Sequence, residues 1–508
     1  MKKFIPEVLF CSAFLFNFSA VFSQTPVWQL VPENANYPRS ESVVAGFTAD
    51  VATYGNGAVD ATSYLQNLLN ILDKSGGRGV NMWSNMELVG GGVLYLPAGK
   101  YLINGKLLIP KGVTIRGDWK KPVKGQAIEG TILVTDYGRN KSLESESFIT
   151  MQSGAALMDI AIWYPNQTGS TPYSPTVLMG HPGGPHGDEF CNVKNVTLVN
   201  AWDGVIFSQI GGTCPTINGL YGTPLNQGVE IDRIVDIGRI EHIDFSPAYW
   251  AYSGLDGAPA IDDPVFREHL YKNATGVVMR RNDWSYTLYL KVEGYNKGFH
   301  TVRSRQQDSH GWATPNGHNY GFEFIDCKHG LYFESSSGEG CMFAEVKTTG
   351  CEFGAYFSEN AGGVAQFYKW DISATKCAIY TNPKAATKIT MMESTVKAGK
   401  VLLQGGTFVA VNNDFNNPQP QIELESNSRG NITGNRFLKD VQIVENSTFQ
   451  NIVNHTPVTM KPIPAYTEFI PRATKPRLTD TTMALIFRIA NMDFISTVAQ
   501  AKAVCLPK

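Results

Sequence analysis

One short pattern recurs ten times between residues 204 and 445 of this 508-residue chain: a small or polar residue, followed by alternating apolar positions. The copies run from Gly204-Val-Ile-Phe to Gln442-Ile-Val-Glu and are 24, 48, 22, 32, 24, 24, 22, 21 and 21 residues apart. A strand-based period of this length is typical of a β-solenoid. Leucine-rich repeats need regular Leu and Asn positions, and a β-propeller needs units of about 40 residues or more. The repeat therefore predicts an all-β solenoid that grows by stacking turns.

The alternation within each copy assigns side chains to two faces, because successive residues of a strand point in opposite directions. One set of apolar side chains is predicted to point into the core. Its members are Val205, Phe207, Val229, Ile231, Phe299, Leu331, Phe333, Phe357, Ile379, Val401, Leu403, Ile422 and Leu424. Each turn buries these side chains only when neighbouring turns stack on it.

The N-terminal end of such a stack needs a cover, since an open strand edge invites aggregation. Residues 60–72 (DATSYLQNLLNIL) have helical periodicity and begin with an Asp at the likely N-cap position. We therefore expect a short N-terminal capping helix.

Two segments between about residues 45 and 120 carry a family resemblance. They are ADVATYGNGAVDATSYLQNLL and GGGVLYLPAGKYLINGKLLIPKGVTIRGD. They resemble the opening of the rhamnogalacturonase/epimerase-type pectate lyase domain of the pectate-lyase-like superfamily. The resemblance implies a single-stranded right-handed parallel β-helix (pectin-lyase-like solenoid) that acts on a polysaccharide. Hydrolases, lyases and some phage tailspikes share this opening, so the resemblance leaves the reaction open.

Composition and the ends of the chain set the expected organisation. Residues 1–23 read as a signal peptide, with Lys2 and Lys3 ahead of a short apolar core. Residues 24–460 are predicted to form the β-helix, and the Pro-rich residues 461–508 a tail or cap. No later stretch has the roughly 18–20 apolar residues of a membrane span. A net charge of −2 gives no reason to expect nucleic acid as a partner. We therefore expect a secreted or periplasmic protein.

Cysteine spacing gives one structural expectation and no metal site. No CxxC pair or His-Cys cluster has zinc-site spacing. Cys327 and Cys351 both stand three residues before a repeat strand, so they should be neighbours in adjacent turns, either as a disulfide or as stacked free thiols. Cys377 is offset from its strand and should not join them.

Polar side chains gather on the outward face of the repeat strands. The first outward row reads Ile206, Glu230, Val278, His300, Tyr332, Tyr356, Tyr380, Leu402 and Glu423. The second reads Ser208, Asp232, Arg280, Val302, Glu334, Ser358, Asn382, Gln404 and Glu425. Because parallel strands lie about 4.8 Å apart, consecutive members of a row are adjacent. The middle of this face therefore mixes carboxylates, cations and aromatic rings, as an extended sugar groove requires.

Two insertions interrupt the repeat beside this middle region. Residues 246–275 carry Trp250, Asp262 and Asp263, and residues 303–320 carry Asp308, His310 and Trp312 among others. Long loops on a rigid scaffold commonly carry function. Both insertions are therefore expected to rim the same groove.

These residues support three functions. The first is a glycoside hydrolase that needs no cofactor, with Asp232, Glu230 and Glu334 as acid and base or nucleophile. In it His300, Arg280, Tyr332, Tyr356, Trp312, His310 and Trp250 would bind substrate. The second is a pectate or uronate lyase, which Ca²⁺ would assist. Its base, or the cation that neutralises the uronate carboxylate, would be Arg280, Arg303, Arg305 or His300. The third is a non-catalytic glycan-binding β-helix. Sugar identity, linkage and exo or endo action stay open.

Overall fold

A computed structural model describes residues 27–30, 43–75, 78–79, 87–88, 91–143, 145–180, 188–207, 212–305, 314–438, 440–449 and 451–454. The predicted signal peptide and the tail at 461–508 lie outside these residues, as do Asp308, His310 and Trp312. The helices are α1 (Val51–Tyr54), α2 (Thr62–Ser75), α3 (Ala248–Ala251) and α4 (Pro264–Asn273). No helix in the described parts of the chain is both long and apolar enough to cross a membrane.

The strands follow one another along the whole described chain. The first half contains β1 (Val27–Leu30), β2 (Val43–Thr48), β3 (Asn56–Asp60), β4 (Arg78–Gly79), β5 (Glu87–Leu88), β6 (Val93–Leu96), β7 (Gly99–Leu102), β8 (Leu107–Ile109), β9 (Thr114–Gly117), β10 (Thr131–Val134), β11 (Ile149–Met151), β12 (Ala156–Trp163), β13 (Val177–Met179), β14 (Asp188–Glu189), β15 (Asn192–Leu198), β16 (Asp203–Phe207), β17 (Gly212–Thr213), β18 (Thr216–Gly222), β19 (Gln227–Ile231), β20 (Ile234–Val235) and β21 (Arg239–Phe245). The second half contains β22 (Thr275–Met279), β23 (Tyr286–Glu293), β24 (Lys297–Thr301), β25 (Gly317–Tyr320), β26 (Glu323–Ile325), β27 (His329–Phe333), β28 (Cys341–Phe357), β29 (Val364–Thr381), β30 (Lys388–Met392), β31 (Thr395–Leu403), β32 (Thr407–Val411), β33 (Asp414–Phe415), β34 (Ile422–Ser426), β35 (Arg429–Thr433), β36 (Arg436–Phe437), β37 (Ile443–Ser447) and β38 (Ile452–Asn454).

Parallel pairing stacks most of these strands into three walls, while β14, β17 and β20 form a separate small sheet and β4 and β5 an antiparallel pair. Wall A runs from β8 through β11, β13, β16, β19, β22, β24 and β27 to β34 and β37, by way of the C-terminal parts of β28, β29 and β31. Wall B includes β9, β25, β30, β32 and β35, and wall C includes β7, β10, β26, β33 and β36. The chain passes from wall B to wall C to wall A in each turn. The predicted parallel β-helix is therefore confirmed.

The core lies inside the three walls and includes the side chains that alternation assigned to it. All thirteen predicted inward residues are at most 1% exposed. The predicted cap is also present: α2 buries Leu65, Leu69 and Leu72, and the side chain of Gln66 bonds the backbone of Leu108 in β8. Apolar burial contributes roughly 25 cal/mol per Å².

Glycine occupies the same position near the start of six consecutive turns of wall A, because this position leaves no room for a side chain. A Cβ on Gly298 would lie 2.2 Å from Cδ1 of Phe324 in the core and 2.7 Å from the carbonyl oxygen of Gly330 in the next turn. The other members of the row are Gly204, Gly228, Gly276, Gly330 and Gly354.

We expect Gly298→Ala to lower the free energy of unfolding by about 2 kcal/mol, as other overpacked cores do. Gly362→Ala is the control, since nothing lies within 4 Å of the Cβ it would add. Urea denaturation of both variants measures the difference. Equal stabilities would show that the corner accommodates the methyl group.

The corner between walls B and C is a single residue in the left-handed region in most turns. These residues have φ between +49° and +81° and are Asp159, Asn195, Gly219, His242, Tyr289, Gly321, Glu345, Lys369, Glu393, Asn412 and Gly434. Such a φ costs a non-glycine residue roughly 1–2 kcal/mol. The stacking of neighbouring turns therefore imposes this conformation.

The two insertions leave the solenoid at opposite edges of wall A. Residues 246–274, with α3 and α4, connect wall C to wall A between β21 and β22. Residues 302–316 connect wall A to wall B between β24 and β25. The outward face of wall A therefore runs between them.

Cys327 and Cys351 occupy adjacent turns, as predicted. Both are free thiols, and the hydrogen bond between them and burial raise the pKa of Cys351 far above its ordinary value. Of the two arrangements that the spacing allows, the structure has the stacked thiols.

Candidate functional site

The outward face of wall A carries the predicted first row in register. Ile206 pairs with Glu230, Glu230 with Val278, Val278 with His300, and His300 with Tyr332, followed by Tyr356 and Tyr380. In the second row the amides of Asp232, Arg280, Val302 and Glu334 each bond a carbonyl one turn earlier. We call this face between the two insertions the trough.

Glu230 is held at the floor of the trough by two arginines. Its side chain has no exposed surface, and both carboxylate oxygens accept from Arg305, Nε at 2.7 Å and Nη2 at 2.7 Å. Arg280 Nε lies 3.2 Å from the same carboxylate. Burial alone would raise the pKa of Glu230, but the two guanidinium groups outweigh it and lower the pKa. The carboxylate is therefore ionised, paired and closed to solvent.

Asp232 lies beneath the segment Arg303–Arg305, which we call the strap. It is fully buried and accepts a hydrogen bond of 3.0 Å from the backbone N–H of Arg305. Burial raises the pKa of its carboxyl group. Three turns separate Asp232 from Glu334, which corresponds to about 14 Å at the usual strand spacing. The two carboxylates therefore do not form a pair.

Asp203 is a third buried carboxyl group that sequence analysis missed. It is 1% exposed and accepts 2.8 Å from Nδ2 of Asn226, and burial raises its pKa to about 7. It stands immediately before Gly204, the first residue of the first repeat copy. Its position directly before a repeat strand is the signal in the sequence that could have revealed it.

Asp203→Asn should stabilise the protein at high pH. Because the pKa of Asp203 is raised to about 7 from 3.8, its protonated carboxyl group stabilises the folded protein. This stabilisation is fully present below pH 4 and is lost as the pH rises through 7. An amide does not ionise, so the variant should be more stable than wild type at pH 8 and equal to it near pH 4. We expect a gain on the order of 4 kcal/mol between pH 4 and pH 8, because the shift is about three pKa units and each unit is worth about 1.4 kcal/mol. Urea midpoints at both pH values test this, and an equal difference at pH 4 and pH 8 would contradict it.

His300 and Glu334 form a pair in the open part of the trough. Nε2 of His300 lies 3.3 Å from Oε1 of Glu334, whose side chain is 31% exposed. Burial lowers the pKa of His300, and the contact with His300 lowers the pKa of Glu334. Near neutral pH the pair is thus a neutral imidazole beside a carboxylate.

Tyr332 and Lys297 border this pair. The Tyr332 ring meets His300 edge-on at 5.2 Å between ring centroids, and Nζ of Lys297 lies 4.1 Å from the centre of the same ring. Burial raises the pKa of Tyr332 to about 12 and lowers the pKa of Lys297. The phenol therefore keeps its proton at neutral pH.

The tyrosines of the first row stack on one another. Tyr332 and Tyr356 are 5.2 Å apart at 3°, and Tyr356 and Tyr380 are 4.8 Å apart at 25°. Because each ring covers the face of its neighbour, the stack presents ring edges and hydroxyl groups to the trough. A glycan would meet these edges rather than a flat aromatic platform.

Trp250 lies outside the trough. It is 2% exposed, packs edge-on against Phe266 at 5.4 Å, and takes part in the apolar base of the first insertion. The buried indole is out of reach of a glycan in the trough. Trp250 packs inside the first insertion and does not line the trough as predicted. Within the described residues, no three His, Cys, Asp or Glu side chains converge on a point that could hold a metal ion.

Comparisons with known proteins give one family match over part of the chain and several distant structural likenesses. Residues 48–175 match the family described as "Rhamnogalacturonase A/epimerase, pectate lyase-like". Similar structures include the mannuronan C-5 epimerase AlgE6 A-module of Azotobacter vinelandii (12% identity, 81% of this chain and 100% of that one, TM-score 0.35). They also include a polygalacturonase from Erwinia carotovora ssp. carotovora (13%, 84% and 99%, 0.31) and PfbA, a surface adhesin of Streptococcus pneumoniae (10%, 80% and 92%, 0.30). None of the curated protein sequences matches the chain. At these TM-scores the structural likenesses carry no argument.

Proposed function

Because this chain is a parallel β-helix of the pectate-lyase-like superfamily, we propose that it is a polysaccharide-active enzyme that binds its glycan along the trough. Within that class we propose β-elimination on a glycan that contains uronic acids, with His300 as the base. The observation that carries this proposal is the neutral His300 imidazole held 3.3 Å from the Glu334 carboxylate in the open part of the trough.

The spacing of carboxylates favours elimination over hydrolysis. Hydrolysis needs two carboxyl groups about 5–5.5 Å apart, or about 6.5–9.5 Å apart when configuration inverts. Glu334 is accessible, but its neighbours in the second row are Val302 in the previous turn and Ser358 in the next. These positions supply no second carboxylate. A single accessible carboxylate beside a neutral imidazole suits proton abstraction better.

Elimination requires a base that is unprotonated at working pH. His300 meets this requirement because burial lowers its pKa. The Glu334 carboxylate lies 3.3 Å from Nε2, which favours the tautomer with its proton on that nitrogen and leaves the other nitrogen as the proton acceptor. Glu334 is thus a positioning residue, and His300 is the proposed catalytic residue.

The neighbouring groups complete the reaction. Lys297 and Arg280 place positive charge where the uronate carboxylate would lie, which favours removal of the adjacent proton. His300 takes that proton, the C–H electron pair forms the new C=C bond, and the bond to the glycosidic oxygen breaks. The departing oxygen takes the phenolic proton of Tyr332, whose pKa of about 12 keeps it protonated beforehand.

Hydrolysis is the second candidate, and one observation favours it. Glu230 in β19 and Asp232, which directly follows the strand, are two residues and about 7 Å apart, which matches an inverting pair. Both are fully buried beneath Arg305. This reaction would require the strap at Arg303–Arg305 to move away.

A panel of uronate-containing and neutral polysaccharides tests the proposal. We expect unsaturated products, which absorb in the ultraviolet, to appear in step with new reducing ends on a uronate-containing member. Reducing ends without that absorbance would favour the Glu230–Asp232 hydrolase. Retention of glycan without any product would indicate the glycan-binding alternative. Repeating the assay with a calcium chelator tests the metal dependence that a lyase could have.

A further inference from the structure

A cleft of about 360 Å³ opens beside the trough, at the corner between walls A and B. We call it the corner cleft. Its lining includes Asp283, Trp284, Arg303, Asn316, Ser337 and Glu339. Ligand pockets in proteins are typically about 300–1,000 Å³, so this one is at the small end. It suits one sugar ring rather than a length of glycan chain.

Trp284 supplies an aromatic wall that the fold holds in place. Its backbone has φ of +54°, a conformation that is rare for a bulky residue, and its N–H donates to Oδ1 of Asn316 at 2.7 Å. The indole lies 5.3 Å from the ring of His318, centroid to centroid. The ring is only half-buried, so part of it remains available to a ligand. Backbone strain of this kind is common at ligand sites.

The charged groups of the cleft are of both signs. The donors are the exposed Arg303 and the largely buried Arg281, while Asp283 and Glu339 are acceptors in the same lining. A sugar hydroxyl both donates and accepts hydrogen bonds, so it can use both kinds of group. The two arginines and the two carboxylates of the lining balance, so a sugar that carries a carboxylate would gain no net attraction from the cleft. The lining therefore favours a neutral sugar.

The position of the cleft determines how such a sugar could be attached. Arg303 and Ser337 lie three residues beyond His300 and Glu334 along consecutive strands, which is about 10 Å across the turn. The trough follows the stacking direction of the turns, and the cleft lies to one side of it. A main chain that follows the trough therefore passes beside the cleft without entering it.

We infer that the corner cleft binds a single neutral sugar that branches from the glycan main chain, so that the protein acts on a branched polysaccharide. The inference rests on the proposed binding of the main chain in the trough. One observation ties the two sites together: Nη1 of Arg280, at the trough, donates to the carbonyl oxygen of Arg303 at 2.7 Å.

Free-sugar binding tests the cleft without requiring turnover. Wild type is titrated by calorimetry with galactose, arabinose, xylose and rhamnose, and with galacturonate as the acidic comparison. We expect at least one neutral sugar to bind, galacturonate to bind more weakly, and Trp284→Ala and Arg303→Ala to lose the binding. Tyr252→Ala, which removes an exposed ring on the other insertion, should keep it. Should Trp284→Ala fail to fold, Arg303→Ala carries the same test.

Turnover of branched and enzymatically debranched forms of one polysaccharide then tests the branch. We expect wild type to prefer the branched form and Trp284→Ala to lose that preference while keeping its rate on the debranched form. Equal loss on both forms would overturn the branch assignment, since the main chain itself would then use the cleft. Unchanged sugar binding in both cleft variants would overturn the site. A protein that binds a neutral sugar through Trp284 but yields no product from any glycan would refute the proposed reaction and leave the cleft standing.

Discussion

Replacing His300 with glutamine should lower kcat/KM on the cleaved polysaccharide by roughly 10² to 10⁴-fold, the usual contribution of a general base. The physical reason is that His300 is the neutral base of the trough, buried enough for its pKa to lie below the ordinary value. The wild-type rate should therefore persist as the pH falls to about 6.5 and decline only below it, where the imidazole becomes protonated. Initial rates across pH 4–8 measure both effects.

Glu334→Gln separates a positioning role from a structural one. The carboxylate favours the charged imidazolium, so its removal should lower the pKa of His300 further. The acid limb of the rate profile should then move to lower pH while the maximal rate falls. If Glu334 only supports the fold, the acid limb of the pH–rate profile of Glu334→Gln should stay at the wild-type pH.

His242→Asn is the matched control for His300. His242 is an exposed histidine at the corner between walls B and C, with φ of +55°, which asparagine tolerates. It should keep the wild-type rate and pH profile. If the His300 variant kept wild-type activity as well, another group would have to be the base.

Arg305→Ala should destabilise the protein by about 3–5 kcal/mol at pH 7. Arg305 makes two of the three short contacts to Glu230, and a buried charge that loses its partner is costly. Without this guanidinium only Arg280 opposes the effect of burial, so the pKa of Glu230 should rise. The penalty is then present at high pH and disappears as the pH falls through that raised pKa. Urea denaturation at pH 7 and pH 4.5 measures both predictions.

Two further variants control for the arginine. Lys384→Ala removes an exposed ion pair with Glu359 and should cost about 0–1 kcal/mol, as surface pairs do. The double variant Arg305→Ala with Glu230→Gln should recover part of the lost stability, because the unpaired charge is gone. A double variant as unstable as Arg305→Ala alone would show that Arg305 acts through packing instead.

Sequence analysis could predict the solenoid and the outward rows because both follow from local rules. A constant turn length brings equivalent residues together, and period-two alternation decides their face, so His300 could be placed beside Tyr332 without coordinates. The capping helix followed from helical periodicity and an N-cap residue in the same way.

The contents of the trough depended on contacts between distant parts of the chain. Arg305 folds back across 75 positions to pair with Glu230, and no local pattern encodes that return. This contact is why Glu230, predicted as a catalytic group, is a buried ion-pair partner. The left-handed corners at Tyr289, Glu345 and Lys369 were equally hidden, because these residue types do not favour that conformation by themselves.

The structure of His300→Gln with a bound uronate-containing oligosaccharide tests the central claim most directly. The account predicts sugar rings along wall A between the two insertions, with a uronate carboxylate near Lys297 and Arg280 and the scissile bond beside Glu334. Sugar bound on wall B or wall C, with the trough free of glycan, would contradict it.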